Sequence, residues 1–573
     1  MAQLAAVVGR EFSFAILLAA AAVNEPTVVA ALDELWQRRI VREQEGGSYD
    51  FSHDRLREVA YGEISPARRQ FYHRQIAQAL LHGGAEHDDR LVGQLAYHHV
   101  EGGDLARAVE GYLHAGESAL AAYAGARGLH YFTRALEITE RGYVAAYAQA
   151  QIAALYGLGR ACFRLEQSEN ALKWFQQAVD QCPPQNLLYP KLLYALADTY
   201  FASYQPEPTE LIVRAALRAA QAQDDKETLC QALSLLGQVH SQRGELDEEV
   251  RLIQRALVLT RQTGNRWREG RTQADLGFLH AQTGDFAAAV HAAQRALDLL
   301  ASTTDLAGVA FAWNVLGRAE GGRGHFAAAF ARSEEIADEI SLYSIGAQIP
   351  NLRGWFYQQI GDFARAQAAN RAGLEAALRW NKDTAEISAR LNLCLDAVCL
   401  GRPAEACALL AALEQRLAQN DFGFHEWRWR VRLLHIKGMA LLDLGEIEQA
   451  RTTAEQGLAL ADATSAAKYQ ALHRELLGRA DQAAGHSATA IDQMKQARKI
   501  ADTICYQPLR WQIRYRLAPL YAQLGQDERA QAAAQEAQVI VDEVIAAIGD
   551  ADQSRIFCDA VQNFVADVCV TPG

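Results

Sequence analysis

A pattern that returns about every 40 residues constrains this chain more than any single motif in it. Residues 226–265, 266–305 and 306–345 align without gaps. The first block carries Leu236-Gly237, Gly244-Glu245-Leu246 and Ala256. The second carries Leu276-Gly277, Gly284-Asp285-Phe286 and Ala296, and the third Leu316-Gly317, Gly324-His325-Phe326 and Ala329. The signature runs on through Gly354, Gly361-Asp362-Phe363 and Ala366, then Gly438, Gly445-Glu446-Ile447 and Ala450, then Gly478, Gly485 and Ala490, then Ala518, Gly525 and Ala530. Upstream it is traceable at Ala197 and Tyr200, at Gly159, Ala171 and Ala178, and at Ala96, Gly103-Asp104-Leu105 and Ala108. Between Cys394 and Ala406 the phase holds but the first Gly is missing.

Each block reads as two amphipathic helices. The small residue at Gly237, Gly277, Gly317 or Gly354 lets the first helix approach its partner, and Ala at 289, 329, 366, 450 and 530 offers the matching small surface. The Gly at 244, 284, 361, 445 and 525 ends the first helix, where a left-handed residue is needed. Asp285 and Asp362 follow at the cap of the second. One such hairpin cannot bury its own apolar face, so neighbours must stack into a superhelix. Composition agrees: about one residue in five is Ala, the strongest helix former. Half of the 573 residues are hydrophobic, which supplies a large core and excludes a wholly disordered chain.

The Leu-Gly-x-x-His element, as in Leu236-Gly237-Gln238-Val239-His240, together with the later Ala pair, resembles the tetratricopeptide repeat. That family's usual period is about 34 residues, so a period near 40 implies longer helices, like the extended repeats of large bacterial regulators. The resemblance covers roughly residues 90–548. It implies an all-α, right-handed superhelix and says little about the ligand.

The first eighty residues differ. Residues 28–39 read as a helix, and 40–44 and 48–51 as two short strands around Gly46-Gly47. Ser65-Pro66 opens another helix over 67–81. Helices around a small hairpin look like a winged-helix domain. The apolar stretch 12–23 is too short to span a bilayer, has no basic cluster before it, and is expected to be a buried helix. The expected organisation is a winged-helix-like domain over 1–82, a repeat solenoid over 83–548, and a capping helix and tail over 549–573.

Three segments carry a more pointed resemblance: Val8-Gly9-Arg10-Glu11-Phe12, Ala31-Leu32-Asp33-Glu34-Leu35, and Tyr49-Asp50-Phe51-Ser52-His53-Asp54-Arg55-Leu56-Arg57-Glu58-Val59-Ala60-Tyr61. They are similar to the region that follows the nucleotide-binding core in STAND-type signalling ATPases, which run core, winged helix, tetratricopeptide array. These include bacterial transcription regulators and cyclase- or kinase-linked ATPases. The chain then corresponds to that family's C-terminal half, with Met1 where the core would end, as in a fragment, a split-gene product or a degenerate paralogue. Ser52-His53-Asp54 is similar to the family's Met-His-Asp element, which makes His53 a vestigial nucleotide sensor by resemblance. The same residues also suit a plain helix start, with Ser52 as cap and Asp54 complementing the positive helix end.

Chemistry is sparse elsewhere. The chain has eight Lys, and none completes the Gly-x-x-x-x-Gly-Lys loop that holds phosphates. There is no Gly-x-Ser-x-Gly elbow and no zincin-type His pair, and His98-His99 diverge on a helix. The nine Cys are scattered without a Cys-x-x-Cys pair and read as reduced core thiols of a cytoplasmic protein. Neither enzyme activity, cofactor nor metal is expected. The net charge is −13, and residues 1–100 hold 10 Arg against 13 acids, which argues against direct nucleic-acid binding. No membrane partner is expected.

What remains is the inner face of the superhelix, lined by the first helices. Counting from the small residue puts Arg271, Phe278, Asn314, Arg318, Asn351, Trp355 and Gln358 there. Such residues suit a peptide backbone and an acidic partner segment, or are ordinary groove residues without a dedicated ligand. The expected role is a non-enzymatic interaction and sensor module of a signalling or transcription-regulating ATPase system. Its nucleotide-binding core would then lie in cis or in trans. The rivals are a freestanding scaffold, a non-catalytic part of a cyclase- or kinase-linked regulator, and a hydrolase whose site the sequence does not reveal.

Overall fold

The computed structural model describes residues 1–44, 47–85, 88, 91–141, 147–303, 305–325, 346–418 and 426–569. Gly46, Phe326 and Ala329, invoked above, lie outside them. The chain divides into two compact units, Met1–Gln223 and Asp224–Gly573. The fold is all-α with tetratricopeptide-type helical repeats; among the described residues one small sheet interrupts the helices.

Unit 1 opens with α1 (Ala2–Val8), β1 (Glu11–Ser13), α2 (Phe14–Ala20), α3 (Glu25–Gln37), β2 (Val41–Glu43), β3 (Ser48–Phe51), α4 (Asp54–Gly62) and α5 (Pro66–His82). Helical hairpins follow: α6 (Val92–Gly102), α7 (Leu105–Ala121), α8 (Gly125–Arg141), α9 (Ala148–Arg164), α10 (Ser168–Gln181), α11 (Tyr189–Ala202) and α12 (Pro206–Ala222). The sheet is antiparallel in the order β1-β3-β2, with Phe12 opposite Tyr49 and Arg42 opposite Asp50. Arg42 grips the Asp50 carboxylate with two bonds of 2.8 and 2.9 Å. The stretch 12–23 is therefore not one helix. Phe12 belongs to a strand, and the Ser13 hydroxyl accepts from the Ile16 amide at 3.2 Å to start α2. Three residues are too few for strand periodicity to show in a run of apolar side chains. Phe12, Leu17, Val28, Val41, Phe51 and Ile76 share one buried core.

A histidine pair joins α5 to α6. His73 and His98 are both fully buried, and their Nδ1 atoms lie 2.8 Å apart, so one ring donates and the other accepts. Burial first, then the Arg69 charge, pushes His73 down to about 4. Burial and the neighbouring His73 push His98 down to about 3. Both rings are neutral in the fold and protonate readily near 6.5 only when unfolded. Their contribution is complete above pH 6.5 and is lost as pH falls toward 4.

Unit 2 contains α13 (Lys226–Gln242), α14 (Leu246–Thr263), α15 (Arg266–Thr283), α16 (Phe286–Leu300), α17 (Leu306–Gly322), α18 (Ile349–Gln359), α19 (Phe363–Arg379), α20 (Asp383–Cys399), α21 (Pro403–Ala418), α22 (Glu426–Asp443), α23 (Ile447–Ala463), α24 (Ala467–Ala483), α25 (Ser487–Thr503), α26 (Gln507–Gln523), α27 (Asp527–Ile548) and α28 (Ala551–Cys569). The turns match the repeat signature. Gly244, Gly284, Gly361, Gly445 and Gly525 all take left-handed backbone, and Asp285 and Asp362 cap α16 and α19 through bonds to the amides of Ala288 and Arg365. Gly354 admits no side chain, because a Cβ there would lie 2.0 Å from Asn370 Oδ1. Gly237 is less demanding: a Cβ there would meet nothing closer than 3.6 Å.

The superhelix of unit 2 winds tightly enough for early repeats to touch late ones. Gly244 abuts Thr464, Gly284 abuts Lys468 and Ile504, Gly324 abuts Gln507 and Val544, and Gly361 abuts Ala560. Trp427 Nε1 donates across the same seam to the Ser241 carbonyl at 2.8 Å. Phe286 packs on Tyr506 with ring centres 5.6 Å apart. Leu246, Ile253 and Leu276 share a core with Trp427, Val431 and Tyr469.

Two outcomes are expected. Thermal unfolding should move to lower temperature between pH 7.5 and 5, each buried histidine contributing roughly 2 kcal/mol at pH 5. His73→Gln, which cannot take the charge, should flatten that slope; an unchanged slope would remove the pair as its source. Gly284→Ala should destabilise more than Gly445→Ala in urea. Both pay the left-handed penalty of about 1 kcal/mol, but only Gly284 would also strike the facing Lys468 backbone. Equal losses would mean that the seam contributes nothing.

Candidate functional site

The first helices of the repeats in unit 2 line a half-open cavity of about 150 Å³. Arg318 enters from α17, Asn351 and Trp355 from α18, and Asn392 from α20. Arg428, Trp429, Arg432 and His435 come from α22, Lys468 and Tyr469 from α24, and Tyr506 from the turn before α26. Among the described residues, four cationic side chains line this space and no carboxylate does.

Each cation rests on neutral groups. Arg318 Nε donates to Asn314 Oδ1 at 3.2 Å, and Arg432 donates to Asn392 Oδ1. The Arg428 guanidinium sits 3.9 Å from the Trp429 ring centre. Lys468 Nζ stands 5.6, 5.7 and 5.1 Å from the ring centres of Trp355, Tyr469 and Tyr506. Amide oxygens and π faces supply partial charge but no net negative charge. Burial, then the neighbouring cations, pushes Arg318 down to about 10, Arg428 to about 9 and Lys468 to about 7. His435 is pushed well below its ordinary value, again first by burial and then by His473, Arg479, Lys468 and Arg432. Asp396 acts on Arg432 from behind the lining and offsets part of this charge, so an anion placed in the cavity would meet an excess of positive charge away from bulk water, where electrostatic attraction is strongest.

A buried amide network holds one wall. Asn392 Nδ2 donates to the Asn351 carbonyl at 3.0 Å and to Asn370 Oδ1 at 2.7 Å. Asn370 Nδ2 donates to Asp396 Oδ2 at 2.8 Å, and Gln358 Nε2 donates to Asp396 Oδ1 at 2.7 Å. Asn351 Nδ2 reaches the Ala385 carbonyl at 2.9 Å. Through Asn392, this network fixes Arg432 against the cavity.

Of the residues read from sequence, Arg318, Asn351 and Trp355 line the cavity. Asn314 is buried behind Arg318, and Gln358 is buried in the amide network. Arg271 lies 3.7 Å from Asp305, and Phe278 packs on Phe311 at 5.6 Å; neither joins the cavity lining. His53 is exposed in unit 1 and itself occupies the cap position of α4, with no side-chain capping bond. Ser52 therefore does not cap that helix. Asp54 stands in the first turn, 3.4 Å from Arg10. Among the thiols, Cys162, Cys182, Cys230 and Cys394 are buried, whereas Cys505 is exposed in a turn. Sequence counting missed Arg428, Arg432 and His435, although their spacing of four and three residues on α22 puts them on one helix face.

A tetratricopeptide repeat family model matches residues 152–184 and 431–464, one segment in each unit, so the chain carries tetratricopeptide repeats. No curated protein matches it. Among solved structures it is similar to a Signal Transduction ATPase with Numerous Domains (STAND) protein with a tetratricopeptide repeat sensor from Pyrococcus horikoshii. Identity there is 12% and the TM-score 0.41, over 78% of this chain and 62% of that one. The chain thus spans less than two thirds of that relative's length. It is also similar to aspartyl phosphate phosphatase F from Bacillus subtilis, at 12% identity and TM-score 0.40 over 61% and 89% of the two chains. A third similar structure is the Rap conjugation gene regulator of plasmid pLS20 in complex with the Phr* peptide, at 15% identity and TM-score 0.41 over 63% and 98%. No helix among the described residues is long and apolar enough to cross a membrane.

Asn392→Leu is expected to cost roughly 2–4 kcal/mol in urea unfolding, because it strands the Asn370 oxygen, the Asn351 carbonyl and the Arg432 guanidinium at once. A loss below about 0.5 kcal/mol, the ordinary range of a surface substitution, would show that the network does not brace this wall.

Proposed function

We propose that the chain is a non-enzymatic recognition and sensor module whose partner presents an acidic protein or peptide segment to the inner face of unit 2. One observation carries this: among the described residues, four cations line the cavity and no carboxylate does. Recognition by side chains fixed before binding wastes little affinity on ordering, and Arg432 and Arg318 are already held by amides. Arg318, Asn351 and Trp355 are the residues of the sequence reading that this role uses directly. Asn314 and Gln358 support them, and Arg271 and Phe278 would meet a segment extending beyond the cavity.

The wider setting rests on the sequence resemblance. Residues 1–82 would act as a winged-helix-like coupling domain, 83–548 as the repeat sensor and 549–573 as its cap. Together they would serve a cytoplasmic, STAND-type signalling or transcription-regulating ATPase whose nucleotide-binding core lies in cis or in trans. His53 would be the remnant of that core's phosphate sensor. Occupation of the cavity would shift an equilibrium between off and on arrangements by its differential affinity for the two.

Fluorescence anisotropy with a labelled hexaglutamate peptide tests the recognition step. Saturable binding is expected at physiological salt, weakened at least tenfold in Arg318→Gln combined with Arg428→Gln. Binding that the double variant leaves unchanged would place the acidic segment elsewhere and sink this reading.

A further inference from the structure

The cavity is small for the charge it holds. Its volume of about 150 Å³ is that of a space known to take one benzene-sized molecule. One glutamate side chain would fill such a space and bring a single charge. Two linked phosphate groups occupy a comparable volume and bring roughly three to four charges. The four cations converge from three helices on this one space: Arg318 from α17, Arg428 and Arg432 from α22, and Lys468 from α24. Each of Arg318, Arg428 and Lys468 feels the charge of at least one other member of the set. Guanidinium forks on two sides match the oxygen geometry of a phosphate, while an ammonium adds a point charge.

We infer that this cavity, formed by α17, α18, α20, α22, α24 and the turn before α26, is a seat for a small free polyanion of diphosphate class, held by Arg318, Arg428, Arg432 and Lys468. The inference rests on reading the cavity as the module's ligand site, and it names a compact ligand in place of an extended acidic segment. Ser388 brings a hydroxyl to the same lining, and Trp355 and Tyr506 flank it with flat apolar walls that fit whatever organic body carries the phosphates.

The same geometry ties the cavity to the seam. Lys468 is carried on the stretch of backbone that faces Gly284 across the superhelical seam. Repulsion among the cations therefore works against the contact that closes the superhelix, and an anion that neutralises them stabilises it. A ligand that binds only the folded state raises the unfolding temperature by mass action.

The test is a titration of the full chain with inorganic pyrophosphate, followed by calorimetry and by thermal unfolding, against sodium chloride at equal ionic strength. One-to-one binding is expected, with a saturable rise of several degrees that chloride does not reproduce. Arg428→Gln and, separately, Lys468→Gln should each weaken binding at least tenfold and raise the unfolding temperature of the ligand-free protein, because each relieves like-charge repulsion. Arg555→Gln, on the exposed face of α28, should change neither. Absence of saturable pyrophosphate binding, or binding that both cavity variants retain, overturns the inference. Hexaglutamate run alongside separates the two readings. If it binds and pyrophosphate does not, the diphosphate seat fails and the acidic-segment reading stands. If pyrophosphate binds and hexaglutamate does not, the seat stands and the acidic segment falls.

Discussion

Gly284 has no side chain, and the backbone of Lys468 lies where one would begin: a Cβ would come within 3.1 Å of the Lys468 nitrogen. This close approach draws a string of hairpins around a half-open cavity. A tetratricopeptide array without such contacts presents an open curved surface. Here Gly244, Gly284, Gly324 and Gly361 recur with the repeat, and each meets a later repeat that recurs with nearly the same step. The repeat therefore does two things. It pairs neighbouring hairpins, and it leaves a row of bare backbone turns on which later hairpins rest.

Closing the superhelix gathers side chains that a flat array would keep apart. Arg318 and Lys468 belong to repeats far apart in sequence, yet both face one small space. Burying a cation without a counter-ion is costly, and amide or aromatic neighbours offset only part of it. A polar network braces one side: Asn392, Asn370, Gln358 and Asp396 bond to one another while Arg432 is anchored to their edge. A braced wall beside like charges that amides, aromatic faces and Asp396 offset only in part is an arrangement that suits an anion. Natural chains tolerate such local instability where binding returns it.

The architecture was legible because its determinants are local. Glycine in a left-handed turn, Asp one residue later and Ala on the facing helix are each read at a fixed spacing, and Gly284, Asp285 and Ala289 do what that spacing implies. Turns between repeats were harder to see. Asn381, Ser465 and Cys505 hold left-handed backbone without being glycine, so composition gave no warning of them. The site was legible only in part. Arg318, Asn351 and Trp355 follow from phase alone, whereas Arg428 and Arg432 become neighbours of Arg318 only once the superhelix has closed, a long-range fact that no periodicity encodes. Strand β1 escaped for the opposite reason. Its three residues pair with β3 across nearly forty positions, and nothing within the strand itself marks it.

The proposed sensor role needs an element whose arrangement depends on a ligand, and the seam of unit 2 is the candidate for it. Lys468 contributes its side chain to the cavity and its backbone to the contact with Gly284, so charge in one place and packing in the other are borne by a single residue. Repulsion among the cavity's cations would push outward on the wall that the seam holds inward. Neutralising the cavity removes that push without altering any contact at the seam. The proposed anion would therefore change how firmly two distant stretches of the superhelix stay together. The magnitude of that change is bounded by the difference in affinity between the closed and loosened forms. Repeats that touch only their immediate neighbours have no comparable lever, because a charge added to one hairpin is felt only by the next.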